Sequence, residues 1–215
     1  MYMTKKKKQR PKPKGRPTHT DVYMASLKPL GIFQVAEANQ FGVSQPTLSR
    51  LASDGKILHI GKGLYLHPDS PINPKERDFA AACAKFGKDA VIGGMTALFY
   101  HHLIEQVPQH IWVLVTYHQK TTSPLYRCIR TKTDPNIGIE DHKTFRITNL
   151  ERTLVEAFRY STKIGLRTAL HAARTAISEK RTSAEKVYKQ AQALRLQKFI
   201  EKHWEYIIPE SLELK

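Results

Sequence analysis

Gln45, Thr47, Ser49, Arg50 and Ser53 crowd one side of a short helical repeat whose other side is Leu48, Leu51 and Ala52. The polar side is short, hydroxylated or cationic, and carries no acid. Arginine pairs with the O6 and N7 of guanine, glutamine pairs with adenine, and hydroxyls reach base edges or phosphates. A helix face that is only solvated commonly mixes Glu with Lys, so the missing acids point to contact with a polyanion. Ser44 stands just before the repeat, where it would cap the helix. Lys56 and Lys62 follow at the base and tip of a hairpin, where they would meet phosphates.

Other residues invite chemistry less well. Asp134 and the run Glu140-Asp141-His142-Lys143 hold the carboxylates and lysine that a metal-dependent nuclease needs to bind a cation and activate water. The segment DPNIGIEDHK reads as a turn-rich loop, however, and a solvated loop is the preferred reading. His101 and His102 are adjacent, so on a helix they point about 100° apart and do not converge on a metal. Glu151 and Arg152, near a helix start, read as a capping and salt-bridging element. Cys83 and Cys128 form no CxxC pair and fit a reduced cytoplasmic protein. No catalytic group, metal site or cofactor is expected.

The elements that must position the polar face are legible around it. Asp21–Pro29 reads as a first helix with Val22, Met24 and Leu27 inward. Phe33–Asn39 reads as a second. Phe41-Gly42-Val43 makes a turn in which Gly42 supplies a positive φ. Pro46 falls in the first turn of the third helix, and Gly55 stops that helix after Asp54. Lys56–Ile60 and Leu64–Leu66 flank Gly61-Lys62-Gly63 as a β-hairpin, with Tyr65 packing beneath it. Helix, helix, turn, helix and hairpin is the order of a winged helix-turn-helix, which places its last helix in a DNA groove.

The formal net charge is +16, and its distribution matters. Residues 1–17 carry eight lysines and arginines and no acid, which leaves 27 bases and 19 acids for the remaining residues. A basic arm on a basic body is a footprint for polyphosphate. The arm is too polar and proline-rich to bury a core and reads as disordered. Within it, Pro13-Lys14-Gly15-Arg16-Pro17 is similar to the core of an AT-hook, in which Lys14 and Arg16 would enter a narrow minor groove. A non-specific phosphate-binding arm is the other reading. No apolar run approaches the roughly 20 residues that span a bilayer, and no amphipathic helix accompanies the arm, so no membrane partner is expected.

Pro71–Pro74 reads as a linker to a second region. There Glu76–Phe86 is helical, and Asp89–Ile92, Ile111–Tyr117, Leu125–Arg130 and Thr144–Thr148 read as strands. A helix follows Gly93-Gly94, and Asn149 caps another through Phe158. Lys163–Ser178 and Ser183–Tyr206 end the chain as helices. The fold class is α+β. A basic tail (1–20) precedes a winged helix-turn-helix (21–70) and a mixed α/β domain (75–215) ending in α-helices.

Three segments in order resemble the AbiEi family, the antitoxins of abortive-infection toxin–antitoxin operons. They are SDGKILHIGKGLYLHP, DAVIGGMTALFYHHLIEQVPQHIWVLV and FRITNLERTLVEAF. The resemblance implies a sequence-specific autorepressor that binds repeats in its own promoter as double-stranded DNA. It implies a nucleotidyltransferase-like toxin as functional partner, with antitoxin activity in the C-terminal domain. The alternatives are a metal-dependent nuclease or other nucleic-acid-processing enzyme, and a DNA-binding regulator without a toxin partner.

Overall fold

The computed structural model describes residues 18–87, 89–116 and 118–207. It is an α+β protein with two separate sheets. Helix α1 spans His19–Leu27, two residues earlier than expected. Thr18 is its N-cap: the Asp21 carboxylate accepts from the Thr18 backbone N–H at 2.8 Å, and the Asp21 N–H donates back to Thr18 Oγ1. This capping box satisfies two orphan donors of the first turn. A 3₁₀ turn at Lys28–Leu30 replaces the helix end read through Pro29. Leu27 is buried, but Val22, expected inside, is 53% exposed.

The largest departure comes next. Ile32–Gln34 is a strand, β1, where the sequence reads as the start of a helix. Helix α2 is only Val35–Gln40. Three residues are too few to display alternation, and their ladder partner lies some thirty residues on. Ile32, Phe33 and Gln34 pair antiparallel with Leu66, Tyr65 and Leu64. Helix α3 (Gln45–Ser53), strand β2 (Leu58–Gly61) and strand β3 (Leu64–Leu66) follow, and the sheet order is β1-β3-β2.

One side of this sheet closes a core of Leu27, Phe33, Ala38, Val43, Leu48, Leu51, Ile57 and Tyr65. Each large side chain fully buried there contributes about 1.5–3 kcal/mol. Tyr65 lies under the hairpin as expected, its ring stacked 6.1 Å from that of Phe33. The other side of the sheet is covered too. Ile32, Leu64 and Leu66 pack on Ile72, Ala80 and Ala81. The last two belong to helix α4 (Arg77–Phe86). The Gln34 side-chain amide also donates to the Ala84 carbonyl of α4.

Helix α4 faces a second sheet through Ala82 and Phe86. That sheet has five strands: β4 (Val91–Ile92), β5 (Ile111–Val115), β6 (Tyr126–Arg130), β7 (Ile139–Asp141) and β8 (Arg146–Thr148). Their order is β6-β5-β4-β8-β7, with β4/β8 and β5/β6 parallel and β4/β5 and β7/β8 antiparallel. Strand β7 lies in the segment read from sequence as loop. Between β4 and β5 runs α5 (Gly94–Tyr100). Gly94 takes φ +54°, and a Cβ there would sit 2.4 Å from the Trp112 ring, so this close approach requires glycine.

Helix α6 (Leu150–Arg159) covers the opposite face, its first turn capped by Asn149 Oδ1, which accepts from the Arg152 N–H at 2.9 Å. Behind α6 lie shorter helices than the sequence suggests. Gly165, at φ +99°, splits the expected Lys163–Ser178 helix into α7 (Ser161–Ile164) and α8 (Leu166–Ser178). The expected Ser183–Tyr206 helix is three: α9 (Ala184–Ala193), α10 (Gln197–Glu201) and α11 (Trp204–Ile207). No Gly or Pro marks the first of these breaks. The chain turns at Arg195 (φ +57°) so that Leu194 and Leu196 can both reach the core. Among the described residues no helix is long and apolar enough to cross a membrane.

Candidate nucleic-acid interface

Helix α3 lies on the surface with Leu48 and Leu51 buried beneath it and Ala52 half-buried. Gln45, Ser49, Arg50 and Ser53 are exposed, and Thr47 is half-exposed. The turn before the helix is set by Gly42 (φ +73°), with the Val43 N–H returning to the Ala38 carbonyl at 3.1 Å. The turn after it is set by Gly55 (φ +68°). Both ends are therefore fixed by short-range geometry, and α3 is presented as one rigid rod on its apolar stripe.

Three hydroxyls are already engaged. Ser44 occupies the N-cap position, but its side chain makes no capping bond; its Oγ exchanges a hydrogen bond with Thr47 Oγ1 at 3.1 Å. The capping role read from sequence is thus corrected, because a hydroxyl partner three residues on competes for the same oxygen. Ser53 Oγ donates to its own helix at the Ser49 carbonyl, 3.0 Å away. Ser53 therefore has only lone pairs left to offer outward. Gln45, Ser49 and Arg50 make no side-chain hydrogen bond or ion pair among the described residues, so their donors are free for a ligand.

Lys62 is exposed at the β2–β3 turn, between Gly61 and Gly63, the latter at φ +68°. Lys56 is exposed at the hairpin base, close enough to Asp21 to help hold that carboxyl low, after the hydrogen bonds from Thr18. His59 is exposed on β2 with its ring 5.1 Å from Tyr65, and Phe41 is 47% exposed at the helix–helix turn, an exposure that the sequence reading did not assign to either. A register shift between His59 and Gly61 bends the hairpin there, and no residue type marked it. Asp54 is an exposed acid at the C-cap of α3, one helical turn after Arg50. Lys14 and Arg16 lie outside the described residues.

The nuclease candidates do not assemble. Asp141 Oδ1 accepts from the Lys143 backbone N–H at 2.9 Å and so serves its own turn. Glu140 lies 3.6 Å from His142 Nε2. Among the described residues no three His, Cys, Asp or Glu side chains are grouped to hold a metal ion. Nor do Glu151 and Arg152 pair with each other. Glu151 accepts from Thr182 Oγ1 at 2.8 Å, and Arg152 pairs with Glu156.

No protein-family model and no curated protein sequence matches the chain. Among solved structures it is similar in fold to the Rv2827c protein of Mycobacterium tuberculosis. The two share 10% identity and a TM-score of 0.53, over 89% of this chain and 81% of that one.

Proposed function

We propose that this protein is a sequence-specific DNA-binding autorepressor, and that residues 21–70 are a winged helix-turn-helix whose reading head is α3. The observation that carries the reading is α3 itself. An acid-free outer face of Gln45, Ser49 and Arg50 is unengaged, anchored by Leu48 and Leu51, and followed by a glycine-flanked Lys62. Unspent donors on a rigid rod suit base edges in the major groove, while lysines on the hairpin suit the adjacent phosphates. The charge excess supplies the sequence-independent part of the affinity.

The resemblance to AbiEi antitoxins extends the proposal: the operon's second product would be a nucleotidyltransferase-like toxin, countered by residues beyond the reading head. Gel-shift titration against the chain's own promoter tests the first part. Binding that saturates on promoter DNA well below the concentration needed for scrambled duplex supports it; equal binding to both removes the specific-repressor claim. Co-expression with the neighbouring gene tests the second part. A toxic neighbour neutralised by this chain is the expected result, and a harmless one leaves a regulator without a toxin.

A further inference from the structure

Among the described residues strand β6 ends the five-stranded sheet and pairs with β5 alone. The Ile111 N–H donates to the Leu125 carbonyl, and the Thr131 N–H to the Val115 carbonyl. Odd-numbered residues of this segment therefore turn their backbone groups toward β5, and Tyr126, Cys128 and Arg130 turn theirs to the open edge. The Tyr126 N–H is taken by the Ser123 carbonyl at 3.4 Å. Among the described residues the Tyr126 carbonyl and both backbone groups of Cys128 and Arg130 have no backbone partner and are left along the edge.

A groove of about 660 Å³ runs beside this edge. Lys85 of α4, Lys120, Arg127 and Arg130 line it with the hydroxyls of Thr121 and Thr122, and none of its described lining residues is acidic. Three of the cations are held in place. Arg127 lies over the Trp112 ring at 4.4 Å, Lys85 over Tyr126 at 5.4 Å, and Arg130 Nε donates to the Gln119 carbonyl. Because Tyr126 and Trp112 project from opposite faces of the sheet, positive charge flanks the edge on both sides.

We propose that the β6 edge docks an extended, acidic segment of a partner protein, which adds to the sheet as a sixth strand. Such a segment satisfies carbonyls and N–H groups together, and carboxylates at successive positions of it fall on the cations of each face. A phosphate backbone would suit the cations but would face the outward carbonyls of Tyr126, Cys128 and Arg130 with further negative charge. A second copy pairing β6 to β6 would set Arg127 and Arg130 against themselves, an arrangement that protects edges from self-association. This inference is independent of α3 and of the DNA reading.

The test uses the full chain and a fluorescein-labelled peptide of repeated Glu-Glu-Val-Val, about eight residues long to cover the strand, which puts carboxylates on both faces. Its control carries an N-methyl group on every amide, which keeps the charge and removes the ladder donors on both edges of the peptide. The expected result is saturable binding that weakens about tenfold or more on N-methylation. A similar loss is expected in a Lys120→Glu/Arg130→Glu variant with unchanged circular dichroism. Equal binding of the N-methylated peptide overturns the proposal, even if the variant fails to fold. So does no binding up to about 1 mM, which would leave the cations as edge protection only. Displacement of both peptides alike by duplex DNA would make the groove a phosphate site and overturns it as well.

Discussion

Arg152 donates from Nε to Glu156 Oε1 at 3.1 Å, and neither side chain has any exposure to solvent. The same guanidinium donates through Nη1 to the carbonyls of Asp134, at 2.9 Å, and Ile137. One buried ion pair one helical turn apart on α6 therefore also ties down the loop that leads into β7. Burial pushes the Glu156 carboxyl above its usual range, and the Arg152 charge works against that shift.

Removing one partner strands the other charge in the core. Glu156→Leu is expected to cost about 3–5 kcal/mol in urea denaturation. The double variant Arg152→Met/Glu156→Leu should recover part of that loss, since no unpaired charge remains. Recovery stays incomplete because the Asp134 and Ile137 carbonyls lose their donor. Additive losses in the double variant would show that the two groups are not energetically coupled.

His101 links α5 to β8 in a similar way. Its Nε2 lies 2.7 Å from the Thr148 carbonyl, which can only accept, so Nε2 carries the proton of the neutral ring. Burial lowers the His101 pKa below 6.5, and the bond to Thr148 opposes the shift. With the folded value depressed, the neutral ring stabilises the fold above the unfolded pKa, and that contribution is lost as pH falls below about 6.5. Wild-type stability should therefore drop between pH 7 and pH 5 more steeply than that of His101→Gln. Parallel pH profiles by chemical denaturation would remove His101 from this account.

Helix α3 was legible because its signals are local: a polar face, an apolar stripe, a proline in the first turn and a glycine at each end. Strand β1 was not, because what makes Ile32–Gln34 extended is a ladder to Leu64–Leu66. The salt-bridging role of Arg152 was legible, but its partner was not named: on a helix the neighbour in space is four residues on, and Glu156 fills that place. Of the proposed contacts, exposure on α3 followed from periodicity. The internal engagement of Ser44 and Ser53 needed coordinates, because a hydroxyl's choice among nearby acceptors leaves no trace in residue type.

The pairing of β1 and β3 with α4 has a consequence for dissection. A fragment ending at Pro68 would expose Ile32, Leu64 and Leu66, which Ile72, Ala80 and Ala81 cover in the whole chain. Residues 18–68 should lack a cooperative thermal transition by circular dichroism, and residues 18–87 should regain one. A sharp transition in the shorter fragment would show that the N-terminal unit does not depend on α4.

Arg50 and Lys62 should differ in what their loss does to DNA binding, and the difference separates reading from anchoring. Arg50 is exposed mid-way along α3 with free donors, so Arg50→Ala is expected to cost about 1–3 kcal/mol on promoter DNA and to narrow the gap to scrambled duplex. Lys62 sits on a glycine-flanked turn, where a flexible ammonium meets phosphate as a point charge. Lys62→Ala should weaken both duplexes alike and reduce the salt slope by about one. Fluorescence anisotropy titrations at several salt concentrations measure both quantities at once. If Arg50→Ala lowers the two affinities equally, α3 holds the backbone without reading bases, and sequence preference must come from elsewhere in the chain.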